Sequence, residues 1–430
     1  MKKSIVTLFL IFGLIPFLNA QSETLEQLLY ELPDVIFTKI ETPDNYEAAY
    51  ELKIKQPIDH KDPSKGHFYQ RAYLSHKDFK LPTVMITEGY TANSNRVDEL
   101  THYIDANQIR IEHRYFGKSN PTQIDYQYLT LEQVAADLHH INTLFRNLYP
   151  TKWVSTGRSK GGATTLFYRY FYPDDVDVSV NYVGPINKSF EEQRIYKFLD
   201  TVGTAECRKK IEKFQRHVLE NKDEILPLMK AYSVGAKANF TYQNIEKAFE
   251  FSVMEYPFSF WQYGSDCDSI PNDKASAYDS FLYLIQVSDI TFFSDQTIID
   301  YASHYYQSAN EFGYYGYDTS KFKGLLDELP TDKNPHAAFT PNHMKVPFND
   351  KSLKALNAWL PKHGNKIIHI YGTLDTWSAS AVPKSEKVDA LWFMMNGKHH
   401  GNANITEMTP NEREKLTKAL ERWLSIKLGN

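Results

Sequence analysis

The stretch Trp153-Val-Ser-Thr-Gly-Arg-Ser-Lys-Gly-Gly162 decides how the rest of the chain is read. Trp153 to Thr156 has the composition of a short buried strand. Gly161-Gly162-Ala163 opens a helix of small residues that runs toward Tyr170. Between them Gly157-Arg-Ser-Lys-Gly161 matches G-x-S-x-G, the nucleophile elbow that lifts a serine out of a sharp strand-to-helix turn. The glycines fit because the serine backbone is strained there and neighbouring Cβ atoms would collide. Ser159 is therefore the expected nucleophile.

Outward from this turn, strands alternate with helices. Toward the N-terminus, Pro82 to Thr87 reads as a buried strand, Arg96 to Asn107 as a helix and Gln108 to Glu112 as a strand. Leu131, Val134, Leu138 and Ile141 recur at helical spacing within Thr130 to Leu148, with Thr130 and Gln133 placed as a capping box. Glu51 to Leu74 reads as paired strands around Pro63 and Gly66. Toward the C-terminus Asp177 to Val183 is a further strand. After Asn187 helical stretches dominate, among them Ala205 to Glu220 and Tyr242 to Phe251, until strands return at Lys366 to Tyr371 and Ala390 to Met395. A final helix starts at Thr409-Pro-Asn-Glu412. This alternation predicts a mostly parallel central sheet, with a mainly helical cap inserted between sheet strands; with the nucleophile elbow at Ser159 it reads as an α/β-hydrolase fold. The expected divisions are a signal peptide at 1–20, hydrolase segments at 21–186 and 346–430, and the cap at 187–345.

A serine hydroxyl needs a base to take its proton and a carboxylate to orient that base, in the chain order Ser, Asp or Glu, His. Asp375 follows the strand ending Tyr371-Gly-Thr-Leu, and His400 lies in the glycine-flanked loop Gly397-Lys-His-His-Gly401. The oxyanion hole requires two preorganised N–H donors. The residue after the nucleophile, Lys160, supplies one; Gly89 or Tyr90, after the Pro82–Thr87 strand, supplies the other.

Composition narrows the partners. The formal charge is −5 and no basic stripe stands out, which argues against nucleic acid. Lys2, Lys3 and the apolar run Ile5 to Leu18 read as an export signal, too short to span a bilayer comfortably. No later run predicts an integral membrane segment. Two cysteines, Cys207 and Cys267, suit an oxidising compartment. A disulfide between them is the preferred reading, two separate buried thiols the alternative. No CxxC or His/Cys cluster points to zinc, and no cofactor is expected.

Four strings carry a family likeness: Thr87-Glu-Gly-Tyr90, Glu112-His-Arg-Tyr-Phe-Gly117, Ser155-Thr-Gly-Arg-Ser-Lys-Gly-Gly162 and Phe171-Tyr-Pro-Asp-Asp-Val176. Together they resemble the secreted tripeptidyl aminopeptidase family first known from Streptomyces mycelium, a distant relative of lysosomal Pro-X carboxypeptidase and dipeptidyl peptidase II. The resemblance implies an α/β-hydrolase with a helical cap, a triad of Ser159, Asp375 and His400, and removal of short peptides from free N-termini. The family pattern at the histidine resembles Asn-His-Gly, which aligns with His400 before Gly401, although His399 precedes it here. Peptide substrates rest on this resemblance, since fold alone does not license them.

An aminopeptidase must hold a positive α-amine, best by a charge-assisted bond from a carboxylate in a partly dry pocket. Glu88, beside the oxyanion loop, is the first candidate and Glu255 the second; Trp261 and Tyr263 are candidate pocket walls. Glu112, His113 and Arg114 read as a buried polar network. Two other functions share this scaffold: a secreted esterase or lipase, and a catalytically silent peptide-binding protein.

Overall fold

The computed structural model describes residues 24–429, so the expected signal at 1–20 lies outside the described residues. These residues form a nine-stranded sheet in the order β1-β2-β3-β5-β4-β6-β7-β8-β9. The strands are β1 (Val35–Lys39), β2 (Ala48–Pro57), β3 (His67–His76), β4 (Thr83–Thr87), β5 (Asn107–Ile111), β6 (Trp153–Arg158), β7 (Val178–Tyr182), β8 (Ile367–Gly372) and β9 (Leu391–Met395). β1, β2, β3 and β5 pair antiparallel, and every pairing from β5 through β4 to β9 is parallel. The swap of β4 and β5 in the order, with helical crossovers on the parallel side, makes this the α/β-hydrolase sheet with one extra strand, β1, at its antiparallel edge.

The parallel strands β4 to β8 are buried along almost their whole length, as strands covered on both faces are, and their interleaved polar residues such as Asn107, Ser155 and Asn181 are buried with them. On one face the helix Pro410–Leu424 contributes Leu416, Leu420 and Trp423 to a core with Val154, Val180 and Ile370. The other face is covered by the helix Leu131–Arg146, through Leu138, Ile141 and Phe145, against Met85 and Ile109.

Two local expectations need correction. Arg96 to Asn107 yields only the short helix Glu99–Tyr103, capped by Asp98, because the chain before it is spent on the loop that follows β4. Thr130 caps its helix by accepting from Gln133 N, but the reciprocal half of the capping box is missing. The Gln133 side chain instead meets Asp59 and the His60 N–H. The full box forms at Thr409 and Glu412.

Between β7 and β8 a helical body packs around its own core of Phe214, Phe249, Tyr256 and Phe260. Its central helix runs Ile245–Tyr263, well past the expected end at Phe251, and contains Pro257. Proline cannot donate to the carbonyl four residues back. That carbonyl, Val253 O, accepts instead from Gln215 Nε2 at 2.8 Å, and so the helix continues. Cys207 and Cys267 are joined as a disulfide within this body, with Cα atoms 5.4 Å apart. No helix among the described residues is long and apolar enough to cross a membrane.

Candidate active site

The turn after β6 is a strained elbow. Ser159 has φ 57° and ψ −128°, a conformation that L side chains rarely adopt, and it sits directly before the helix Lys160–Phe171. A Cβ on Gly157 would lie 2.4 Å from the Gly161 carbonyl, and one on Gly161 would lie 2.4 Å from Thr87 O. Both glycines are thus fixed by close backbone approach. The Ser159 side chain is half-buried and opens into a cleft of about 420 Å³ between the carboxyl edge of the sheet and the cap.

His400 and Asp375 meet beside it. His400 Nδ1 donates to Asp375 Oδ2 at 2.8 Å. That bond fixes the neutral tautomer, leaves Nε2 as an acceptor, and orients the ring that lines the cleft with Ser159. Asp375 is fully buried and also caps the short helix Thr376–Ser380, accepting from Trp377 N at 3.0 Å through Oδ1. His399 turns away: its ring packs against Gly264 and accepts from Gly401 N. The two loops are tied to the cap through His400 N to Gln262 O (3.1 Å) and Thr376 Oγ1 to Phe258 O (2.9 Å). Arg158 supports the histidine loop, donating to His400 O at 2.9 Å.

Two N–H groups near the elbow are free to serve as oxyanion donors. Lys160 begins its helix, where a backbone N–H has no intrahelical acceptor. Tyr90 lines the cleft, and its N–H has no acceptor among the described residues. The Gly89 N–H has no acceptor among the described residues either, but Gly89 is buried and outside the cleft lining, so of the pair Tyr90 has the exposed position. Gly89 allows the approach itself, since a Cβ there would lie 2.6 Å from Lys160 Cβ.

The carboxylate candidates separate cleanly. Glu88 is not in the cleft; it pairs with Arg110 Nε at 2.6 Å. Side chains alternate along an extended chain, so Glu88 shares a face with Ile86, whose register partner across the sheet is Arg110. Glu255 does line the cleft with Ser159 and His400. It is buried, accepts from Ser259 Oγ and Tyr315 OH at 2.8 Å each and from Tyr317 OH at 2.9 Å, and has no cationic partner among the described residues. Burial pushes its pKa up to about 7, with the three hydroxyls opposing part of that rise.

Trp261 is also displaced from its expected role. On the helix Ile245–Tyr263, Glu255, Ser259 and Gln262 share one face and line the cleft, whereas Trp261 points away and stacks its ring on Gly203. It borders a separate cavity of about 300 Å³ within the cap. Tyr263 does line the cleft, joined by Tyr301, His304 and Tyr314, which sequence reading did not single out. Nothing in their spacing marks them, because they come from different turns of the cap.

The sheet order, the strained serine in its elbow and the histidine–aspartate pair define a serine hydrolase of the α/β class. The chain belongs to the PS-10 peptidase S37 family, whose signature matches residues 24–428, and it is a serine peptidase. The prolyl tri/tetrapeptidyl aminopeptidase of Streptomyces mobaraensis is 30% identical over 420 residues, spanning 95% of this chain and 87% of that protein. A putative serine protease of Caenorhabditis elegans is 21% identical over 463 residues, covering 88% and 89% of the two chains. Among solved structures, the proline iminopeptidase of Mycobacterium smegmatis covers 87% of this chain and 99% of its own, at 13% identity and a TM-score of 0.43.

Proposed function

We propose that the protein is an exported exopeptidase that removes short peptides, tripeptides or dipeptides, from free N-termini. The observation that carries this reading is Glu255, a buried carboxylate with no cationic partner among the described residues, facing the same cleft as Ser159 and His400. A substrate ammonium supplies the missing cation. The cleft volume of about 420 Å³ suits a short segment held between that carboxylate and the nucleophile.

In this mechanism Ser159 Oγ attacks the scissile carbonyl while His400 Nε2 takes its proton, and Asp375 stabilises the resulting imidazolium. The N–H groups of Lys160 and Tyr90 receive the oxyanion. His400 then protonates the leaving amine, and water hydrolyses the acyl-enzyme by the reverse sequence. The name of the Streptomyces mobaraensis relative, a tri- and tetrapeptidyl aminopeptidase, supports the N-terminal direction. Export is supported by the charged and apolar character of residues 1–20 and by the Cys207–Cys267 disulfide.

A peptide-library digest read by mass spectrometry tests this. Short fragments should appear from free N-termini, and N-acetylated peptides should stay intact. Internal cleavage of acetylated peptides, or turnover of simple acyl esters with none of peptides, overturns the reading.

A further inference from the structure

In the proposed mechanism the Gly89–Tyr90 peptide carries the second oxyanion donor, and the Lys160 side chain holds it in place. Lys160 Nζ donates to Gly89 O at 2.8 Å. In a planar trans peptide the C=O of one residue and the N–H of the next point in opposite directions. A carbonyl pinned to Lys160 on the protein side therefore aims the Tyr90 N–H at the cleft. The lysine reaches this position because it follows the nucleophile in the elbow, and because Gly89 has no Cβ to collide with its stem.

The amine is itself held. It lies fully inside the protein with no carboxylate in reach, over the rings of Tyr90 (5.5 Å) and Phe116 (5.3 Å). Its other polar partner is His113 Nε2 at 3.1 Å. His113 Nδ1 donates to Arg114 O at 2.8 Å, which leaves Nε2 as the acceptor for Lys160. The backbone of His113 also donates to Tyr90 O at 3.2 Å, and Glu112 receives Ala92 N at 2.9 Å. Three successive points of the oxyanion loop, Gly89 O, Tyr90 O and Ala92 N, are thus held by Lys160, His113 and Glu112. Burying an amine among rings is costly, and desolvation pushes the Lys160 pKa well below its ordinary value. Packing alone gives no reason to keep a lysine there.

We infer that the Lys160 side chain, seated on His113, is a positioning residue that presets the Gly89–Tyr90 peptide as an oxyanion donor. The inference rests on the proposed role of Ser159 and the Tyr90 N–H. It gives the buried part of the Glu112-His-Arg string a purpose in the reaction.

The test compares a tripeptide methyl ester with its thionoester counterpart, in which sulfur replaces the scissile carbonyl oxygen. Sulfur accepts hydrogen bonds poorly, so an enzyme with an ordered oxyanion hole strongly prefers the oxygen ester. Lys160→Met keeps the apolar stem and the backbone N–H but removes the amine. Its kcat on the ester should fall about 100-fold, the scale of losing one oxyanion donor, with KM within about threefold and the thionoester rate within about fivefold. A folded variant with an unchanged ester-to-thionoester ratio overturns the inference. A wild type that shows no preference between the two overturns the oxyanion reading beneath it. Should Lys160→Met not fold, His113→Gln, which retains an acceptor for the amine, is compared with His113→Leu, which does not. At least a tenfold higher ester-to-thionoester ratio in the glutamine variant supports the inference, and equal ratios refute it.

Discussion

Replacing Glu255 by glutamine separates recognition of the substrate amine from the bond-breaking chemistry. Glutamine keeps the shape of the side chain and can be placed with its carbonyl toward Tyr315 and Tyr317 and its amide toward Ser259 Oγ, so the local network survives. What is lost is the charge. A hydrogen bond to a charged group contributes about 1.5–3 kcal/mol, so kcat/KM for free-amine peptides should drop about 10- to 150-fold. Turnover of a small p-nitrophenyl ester that carries no amine should stay within about threefold. The pH profile adds a second reading. In the free enzyme Glu255 is protonated below about 7, so the ratio of free-amine peptide to ester activity should fall as pH drops through 7 in the wild type and stay flat in Glu255→Gln. Taking the ratio cancels any pH effect on the bond-breaking chemistry, which both substrates share. The stability sign runs opposite to the activity. A carboxyl whose folded pKa is raised from 4.5 to about 7 binds more protons folded than unfolded, so wild-type stability falls as pH rises across that window. The loss amounts to about 3 kcal/mol at pH 8 and is absent in the glutamine variant, which should melt no lower than wild type there. Equal losses on peptide and ester, or a pH-independent ratio in the wild type, would refute Glu255 as the amine anchor.

Ser159→Ala should fold normally and lose about 10⁴- to 10⁶-fold in kcat, and the same variant should fail to react with a fluorophosphonate; a tenth of wild-type turnover would remove Ser159 from the mechanism. His400→Ala should be inactive on peptides and His399→Ala should retain most of its turnover, because only His400 contacts Asp375; the reverse pattern would move the base to His399. Reduction of the Cys207–Cys267 bond, whose cysteines are 60 residues apart, should cost about 4 kcal/mol in the loop-closure account, read as a lower urea midpoint in dithiothreitol. Glu311 is buried, accepts from Leu131 N at the start of the Leu131–Arg146 helix, and has its pKa pushed from 4.5 up to about 7 by burial. Glu311→Gln should therefore raise the melting temperature at pH 8 and leave it nearly unchanged at pH 4.5; equal shifts at both would show that the gain is not the charge.

What the sequence makes legible divides along a physical line. Ser159, the helix after it and the turn glycines are local: a few consecutive residues set the backbone, and any chain with that string in that context makes the same elbow. Asp375 and His400 are nearly as legible, because a parallel sheet forces loops at the carboxyl ends of β8 and β9 to one edge of the fold, whatever lies between. Glu88 shows where adjacency misleads. It is next to the oxyanion loop in sequence, but the alternation of an extended chain turns it to Arg110 and away from the cleft. Glu255 shows the converse. Its neighbours in sequence, Pro257 and the aromatic run that follows, suggest a break, whereas the helix runs through and spaces Glu255, Ser259 and Gln262 along one face. Which face meets the nucleophile depends on how a body inserted between β7 and β8 sits on the sheet, and that docking is set by contacts such as His400 N to Gln262 O, made across 138 residues of chain. The reaction centre is thus written in local strings and strand order. If Glu255 anchors the amine as proposed, the choice of substrate is written in long-range packing of the cap: the same elbow can then serve many substrates, with one helix face selecting among them.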